Sequence, residues 1–351
     1  MRVFAIFLFA KMFFLHSLLA QKPQDISVLS TGSWYKITTN QNGIYKLTYS
    51  DLQNLGVDVS SIQNSALKIY GNGGGMLPRL NSEFRHLDLV ENAIEIYDYN
   101  NNGIFEDGDY ILFYGMSAGI WNFNDNTNLF EYETHLFADE VGYFLTIENQ
   151  SDGKRIIEKD VLQNPTKTID TYNGYSQYES ELYNLIQSGR EWFGERFTYN
   201  STQSFTFAFP DLIESEPVNI KIAVAARSFQ PSSFEVSLNS SFLTNLSVPA
   251  VSADYASEYA KEASIINQHL VNSSNLILDI EYNSLDGGAE AWLNYIQINA
   301  RRKLRLSGDY FNFRDVESLA SEVGSYHIQD GAGAEVWDVT DPTNVRKMST
   351  S

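Results

Sequence analysis

Short runs in which every second residue is apolar recur along this chain, and they leave it little choice but antiparallel sheet. Phe205, Phe207 and Phe209 alternate with Thr206 and Ala208, and Val218, Ile220, Ile222 and Val224 alternate with Asn219, Lys221 and Ala223. Leu276, Leu278, Ile280 and Tyr282 share a face with Asp279 and Glu281 opposite; Tyr45, Leu47 and Tyr49 form a similar row. Successive strand side chains point to opposite faces, so this period marks half-buried strands, and the Gly, Asn, Ser and Pro between runs supply the turns. The expected fold is mainly β, with two antiparallel β-sandwich-like domains and a few short helices. A length of 351 residues suits two domains. We place an N-terminal β domain at 22–165 and a second β-sandwich-like domain at 166–305, joined near Gln163-Asn164-Pro165-Thr166. Residues 306–351 read as a strand segment leading into a missing downstream domain. Leu304 to Phe313 looks like one more strand, and the acidic proline turn after Val336-Trp337-Asp338 normally leads to another, so the end reads as truncated. Two helices are expected. One runs over Ser50 to Gly56, with a capping-box start and a glycine stop; the other over Tyr178 to Gly189, with Leu182, Leu185 and Ile186 at helical spacing.

Met1-Arg2 followed by the apolar run Val3 to Leu19 and the small residue Ala20 reads as a secretory signal peptide, 1–20. Lys11 and His16 interrupt the run, which argues against a permanent anchor, and no other stretch has the ~18 apolar residues that spanning needs. The expected location is therefore outside the cytoplasm, at the cell surface or outer membrane, with no transmembrane segment after cleavage. The whole chain has a formal charge of −20; without Arg2 and Lys11 it carries 22 basic against 44 acidic residues, net −22. Such a field repels nucleic acid and anionic lipid and favours divalent cations and basic partners. There is no cysteine. Disulfides, thiolate catalysis and Cys-ligated metal are excluded within these residues.

The sharpest local motif is Asp98-Tyr99-Asn100-Asn101-Asn102-Gly103-Ile104-Phe105-Glu106-Asp107-Gly108-Asp109. It has calcium-loop spacing, with Asp98, Asn100 and Asn102 at positions 1, 3 and 5, Gly103 at 6, the Ile104 carbonyl at 7 and Asp109 at 12. Position 12 is Asp where Glu is usual, and strands at Ala93–Tyr97 and Tyr110–Tyr114 place the loop on a hairpin. An Asn-Gly turn in an acidic hairpin is the alternative. Tyr70-Gly71-Asn72-Gly73-Gly74-Gly75-Met76-Leu77-Pro78 has neither phosphate-loop pattern and reads as a glycine-rich turn. His86, His135, His269 and His327 are scattered, and no Gly-x-Ser-x-Gly occurs. No acid is singled out for glycoside hydrolysis. Arg301-Arg302-Lys303 is a dense basic cluster and reads as a solvated strand end. The many aromatics read as core and cross-strand pairs.

Seven segments in order resemble the N-terminal region of the PorU-type, gingipain-like sortases of type IX secretion. They are Gly32–Ile37, Gly43–Tyr49, Tyr70–Gly75, Gly108–Gly115, Ser188–Glu195, Ala291–Ile296 with Arg301–Leu304, and Trp337–Pro342. The resemblance implies a cell-surface cysteine endopeptidase that removes the C-terminal signal of cargo proteins and links the cargo to anionic lipopolysaccharide. It also implies outer-membrane partners such as PorV. Members keep a His-Cys dyad in a caspase-like domain following the matched region; nothing here can stand in for that cysteine, so no catalytic residue is carried over. The family implies a scaffold or docking role for this stretch. A free-standing adhesin or glycan-binding module, stabilised by calcium, is the alternative.

Overall fold

A computed structural model describes residues 26–187, 190–198, 201–254 and 256–350. The signal peptide read at 1–20 lies outside the described residues.

The alternating runs of the second half build a β-sandwich. One antiparallel sheet has the order Thr171–Glu179, Glu290–Lys303, Val218–Arg227, Lys261–His269. The other has the order Thr202–Ala208, Asn275–Ser284, Ser232–Leu238, Ser241–Val248. Their inner faces meet in one core that contains the rows Phe205/Phe207/Phe209, Val218/Ile220/Ile222/Val224 and Leu276/Leu278/Ile280/Tyr282. The period-two reading therefore holds in all three.

The first half is β as well. Tyr35–Thr39, Val141–Ile147, Leu67–Tyr70 and Glu91–Asn92 form one sheet; Gly43–Thr48, Tyr110–Gly115 and Ile94–Tyr97 form another. They share a second core around Leu67, Ile69, Ile94, Ile111, Phe113 and Tyr143. The expected short helix spans Tyr49–Asn54. Thr48 Oγ1 accepts from the Asp51 amide at 3.2 Å, while Asp51 Oδ2 accepts from the Thr48 amide at 2.8 Å. Its hydrogen bonds from Thr48 hold the Asp51 carboxyl below the usual range.

Two expectations need correction. Tyr178 and Glu179 are strand residues paired with Ile296 and Tyr295, and Tyr183 bridges to Phe193, so among the described residues 178–187 form no helix. Sheet pairing outcompetes the helical stripe, whose Leu182 and Ile186 stay exposed. Leu304 to Phe313 is not a strand. Arg305 makes a single bridge to Gln329, and the rest is a strap whose Phe311 and Phe313 rings pack on Tyr172. The strand after the acidic proline turn is present: Arg346–Met348 lies between Val336–Asp338, antiparallel, and Ile157–Lys159, parallel. Lys167–Ile169 likewise takes Gly324–Tyr326 in parallel. Residues 336–348 thus return to the first half, where the Ala93 amide donates to the Thr343 carbonyl at 3.0 Å.

Candidate functional site

The 98–109 loop joins Ile94–Tyr97 to the paired strand Tyr110–Gly115. Gly103 adopts φ +79°, with nothing near the place a Cβ would occupy, so glycine is required there by conformation alone. Asp98 Oδ2 accepts from the Gly103 amide at 2.8 Å and from Asn64 Nδ2 at 2.9 Å, and the Gly103 bond leads in holding its carboxyl below the usual range. Asp109 is buried and staples the loop's ends, its two oxygens accepting from the Tyr99 amide at 3.0 Å and the Glu106 amide at 2.9 Å. Asn100 Oδ1 accepts from the Asn102 amide, and Asn102 Oδ1 from the Ile104 amide at 2.7 Å. The side-chain Nδ2 atoms of Asn100 and Asn102 both donate to Glu106 Oε1. The structure therefore brings Asn100 and Asn102 together with Glu106, while Asp98 and Asp109 engage backbone. The sequence expectation omits Glu106, although its place, the ninth of the loop, is one that calcium loops use.

A second feature lies where the two halves meet. The hairpin Ile120–Asn124/Leu129–Glu133 covers the outer face of the second-half sheet. Asn299 Oδ1 accepts from the Phe130 amide at 2.8 Å and Asn299 Nδ2 donates to the Phe130 carbonyl at 2.9 Å; two residues along, Gln297 Nε2 donates to the Tyr132 carbonyl at 3.2 Å. Side chains thus take the place of a neighbouring strand on the hairpin's outer edge, which would otherwise present unpaired amides. Lys221 pairs with Glu131 at 3.1 Å beside these rungs. The strap adds Arg314, donating to the Trp121 carbonyl at 2.9 Å, and Tyr310 and Asn312, both donating to the Asn42 carbonyl.

Between hairpin and sheet is a cleft of about 370 Å³ lined by Trp121, Tyr132, Tyr175, Ser176, Gln177 and Glu179. Trp121 packs on Tyr132 and Tyr175, so the aromatics partner one another. Glu179 accepts from Thr134 Oγ1 at 2.5 Å and from Gln177 Nε2 at 2.6 Å, and burial pushes its carboxyl above the usual range. It is the single acid in this lining, so the two facing carboxylates of a glycosidase are not assembled there.

The basic cluster also differs from its reading. Arg301 is buried on the same outer face, with Nη1 2.6 Å from Asp315 Oδ1 and 3.1 Å from Asn173 Oδ1. Arg302 donates to the Pro210 carbonyl and lies over the Tyr172 ring, and only Lys303 of the three is exposed. Alternation shows that these positions are polar; it says nothing of what covers them. Among the described residues no three His, Asp or Glu side chains converge in a metal-binding group, and no helix is long and apolar enough to cross a membrane.

No protein-family model matches the sequence, and no curated protein sequence does. Among solved structures, dimeric latent PorU from Porphyromonas gingivalis aligns with a TM-score of 0.77 at 20% identity, over 94% of this chain and 30% of that one. A carbohydrate-binding module, CBM36, in complex with calcium and xylotriose aligns over 37% of this chain and 99% of its own at 11% identity; its TM-score of 0.25 is too low to carry an argument. The chain spans about a third of the PorU structure and has a PorU-like, mainly β fold.

Proposed function

We propose that this chain is the non-catalytic scaffold and docking region of a PorU-type sortase, the part that positions a peptidase domain and its partners at the outer membrane. The observation that carries this reading is the fold shared with PorU over 94% of the chain. The lack of any cysteine fits it, because an acyl-enzyme of this kind needs a thiolate. So does the double tie between the halves, hairpin rungs on one side and strap on the other, which suits a spacer of fixed geometry. In this reading the chain is exported, its partners are outer-membrane components such as PorV, and the handled substrates are cargo proteins with C-terminal secretion signals. Deleting 22–305 from the full-length protein is expected to leave cargo with its C-terminal signal uncut; normal sorting by that deletion overturns the proposal. Translation beyond Ser351 is expected to give a caspase-like α/β segment holding a His and a Cys. An immediate stop, together with glycan binding by the purified product, favours the adhesin or glycan-binding module.

We also propose that the 98–109 loop takes one calcium ion as a stabiliser. Asp98, Asn100, Asn102 and Asp109, joined by Glu106, would hold it. The oxygen-rich loop, its glycine at positive φ and the ninth-position carboxylate support this reading; Asn100 and Asn102 would turn their Oδ1 atoms to the ion in place of the Nδ2 groups that face Glu106. Calorimetry is expected to give a saturable heat with calcium. A hundredfold excess over Kd stabilises by about 2.7 kcal/mol, visible as a higher Tm. No heat at millimolar calcium and an unchanged Tm overturn this proposal.

A further inference from the structure

The excursion between Leu67–Tyr70 and Glu91–Asn92 has a polar root and an apolar tip. At the root, the Gly71 amide donates to the Val90 carbonyl at 2.9 Å. Asn72 clamps the opposite limb, with Nδ2 donating to the Asp88 carbonyl at 3.1 Å and Oδ1 accepting from the Val90 amide at 3.0 Å. Asn92 Nδ2 closes the base onto the Gly71 carbonyl at 2.8 Å. Gly74 lies so close to the Ser117 carbonyl that a Cβ would sit 1.9 Å from it, which fixes this limb against the start of the covering hairpin. The stalk is therefore held, and what it holds out is unusual. Leu77, Leu80, Phe84 and Leu87 are 70%, 60%, 72% and 47% exposed. Asp88 also accepts from Ser27 Oγ and the Val28 amide, which brings the exposed Ile26 and Leu29 to the same corner.

Four large apolar side chains on one anchored loop are not the scattered exposure ordinary on a soluble surface. They alternate with Arg79 and Arg85, opposed within 76–87 by Glu83 alone, in a chain of formal charge −20. The local sign is thus opposite to that of the molecule, whose overall field repels an anionic surface, so any contact with lipid phosphate falls to this loop and rests on short-range pairing and apolar burial. Sheet-edge and helix-groove docking select side chains at a strand or helix period, and 76–87 has neither structure. A bilayer interface makes no such demand. It accepts apolar side chains to the depth of the acyl boundary while arginine heads remain with phosphate.

We propose that the 76–87 loop inserts into a phospholipid surface, with Leu77, Leu80, Phe84 and Leu87 entering the acyl boundary and Arg79 and Arg85 holding headgroup phosphates. The inference is independent of the sortase reading, because it concerns lipid and not cargo. The test is flotation of the chain, expressed without residues 1–20, on vesicles of phosphatidylethanolamine with phosphatidylglycerol. Co-flotation is expected. L80E/F84E is expected to weaken it by about tenfold or more, since both side chains lose their burial, and R79A/R85A is expected to weaken it and remove its salt dependence. Arg79, Leu80 and Phe84 are exposed in the free protein, and Arg85 is half-buried and donates to Asn81 Oδ1; the Tm of L80E/F84E should match the parent and that of R79A/R85A should fall only slightly, which separates lost binding from lost folding. Absence of flotation overturns the proposal, as does flotation that L80E/F84E or R79A/R85A retains in full. A purified outer-membrane protein that binds the parent but not L80E/F84E, with vesicles binding neither, would assign the loop to a protein partner and also overturn it.

Discussion

Arg301→Ala is expected to lower the unfolding free energy by about 3–5 kcal/mol, the loss typical of removing one partner from a buried ion pair. Asp315 is the reason. Its side chain is 1% exposed, and its closest cation is Arg301 at 2.6 Å. With the guanidinium gone, the buried carboxylate loses its compensating charge. The arginine also donates to Asn173 and Thr171, so three elements loosen together. The pair itself is incompletely satisfied, since Arg301 Nε and Asp315 Oδ2 have no partner. That makes a second expectation sharp: R301M/D315L should be far milder than either single change, because no buried charge is then left over. Urea denaturation of R301A, R301M, D315L and R301M/D315L decides it. A single variant within about 1 kcal/mol of the parent would mean that the pair is solvated like a surface bridge.

Asn299→Leu is expected to cost about 2–4 kcal/mol and to act at a distance along the chain. Leucine fills the volume but leaves the Phe130 amide and carbonyl unpaired under the hairpin, and each such group costs roughly 1–3 kcal/mol. Asn299→Asp should also be harmful, as a carboxylate accepts from the Phe130 amide but cannot donate to its carbonyl. Hydrogen exchange gives the clearest readout. The Phe130 amide should lose protection, while amides of Leu276–Tyr282, in the sandwich core, keep theirs. Equal loss in both places would show that the hairpin is not a separable cover.

The inner faces of the sandwich could be read from sequence because a buried face imposes its period on apolar residues, as at Phe205 to Phe209 and Leu276 to Tyr282. The outer face could not. Gln297, Asn299 and Arg301 carry the polar alternation of a solvated strand, yet Gln297 and Asn299 meet a hairpin, 169 residues away in the case of Asn299 and Phe130, and Arg301 meets Asp315 of the strap. Polarity reports that a side chain needs hydrogen bonds, not whether water or protein supplies them. The apparent helix at 178–189 is absent from its described residues, 178–187, for a related reason, since a pairing strand, Glu290–Lys303, was available to Tyr178 and Glu179. The acidic loop was readable as a turn from Asn102-Gly103 and from its register. The facing of Asn100 and Asn102 toward Glu106 depends on side-chain rotation that no spacing encodes. The apolar tip at 76–87 has no period at all, so only its exposure sets it apart.

The return of the last residues to the first sheets has a consequence for the order of events during biogenesis. Lys347 lies 3.3 Å from Glu95, a partner 252 positions earlier, and Ile157–Lys159 pairs in parallel with Arg346–Met348. Contacts of such sequence separation form late, because the intervening chain must first be restrained. A chain emerging N-terminus first would hold Ile157–Lys159 as an open edge until the final strand arrives. Completion of the first sheets then waits on the arrival of Arg346–Met348 at this seam.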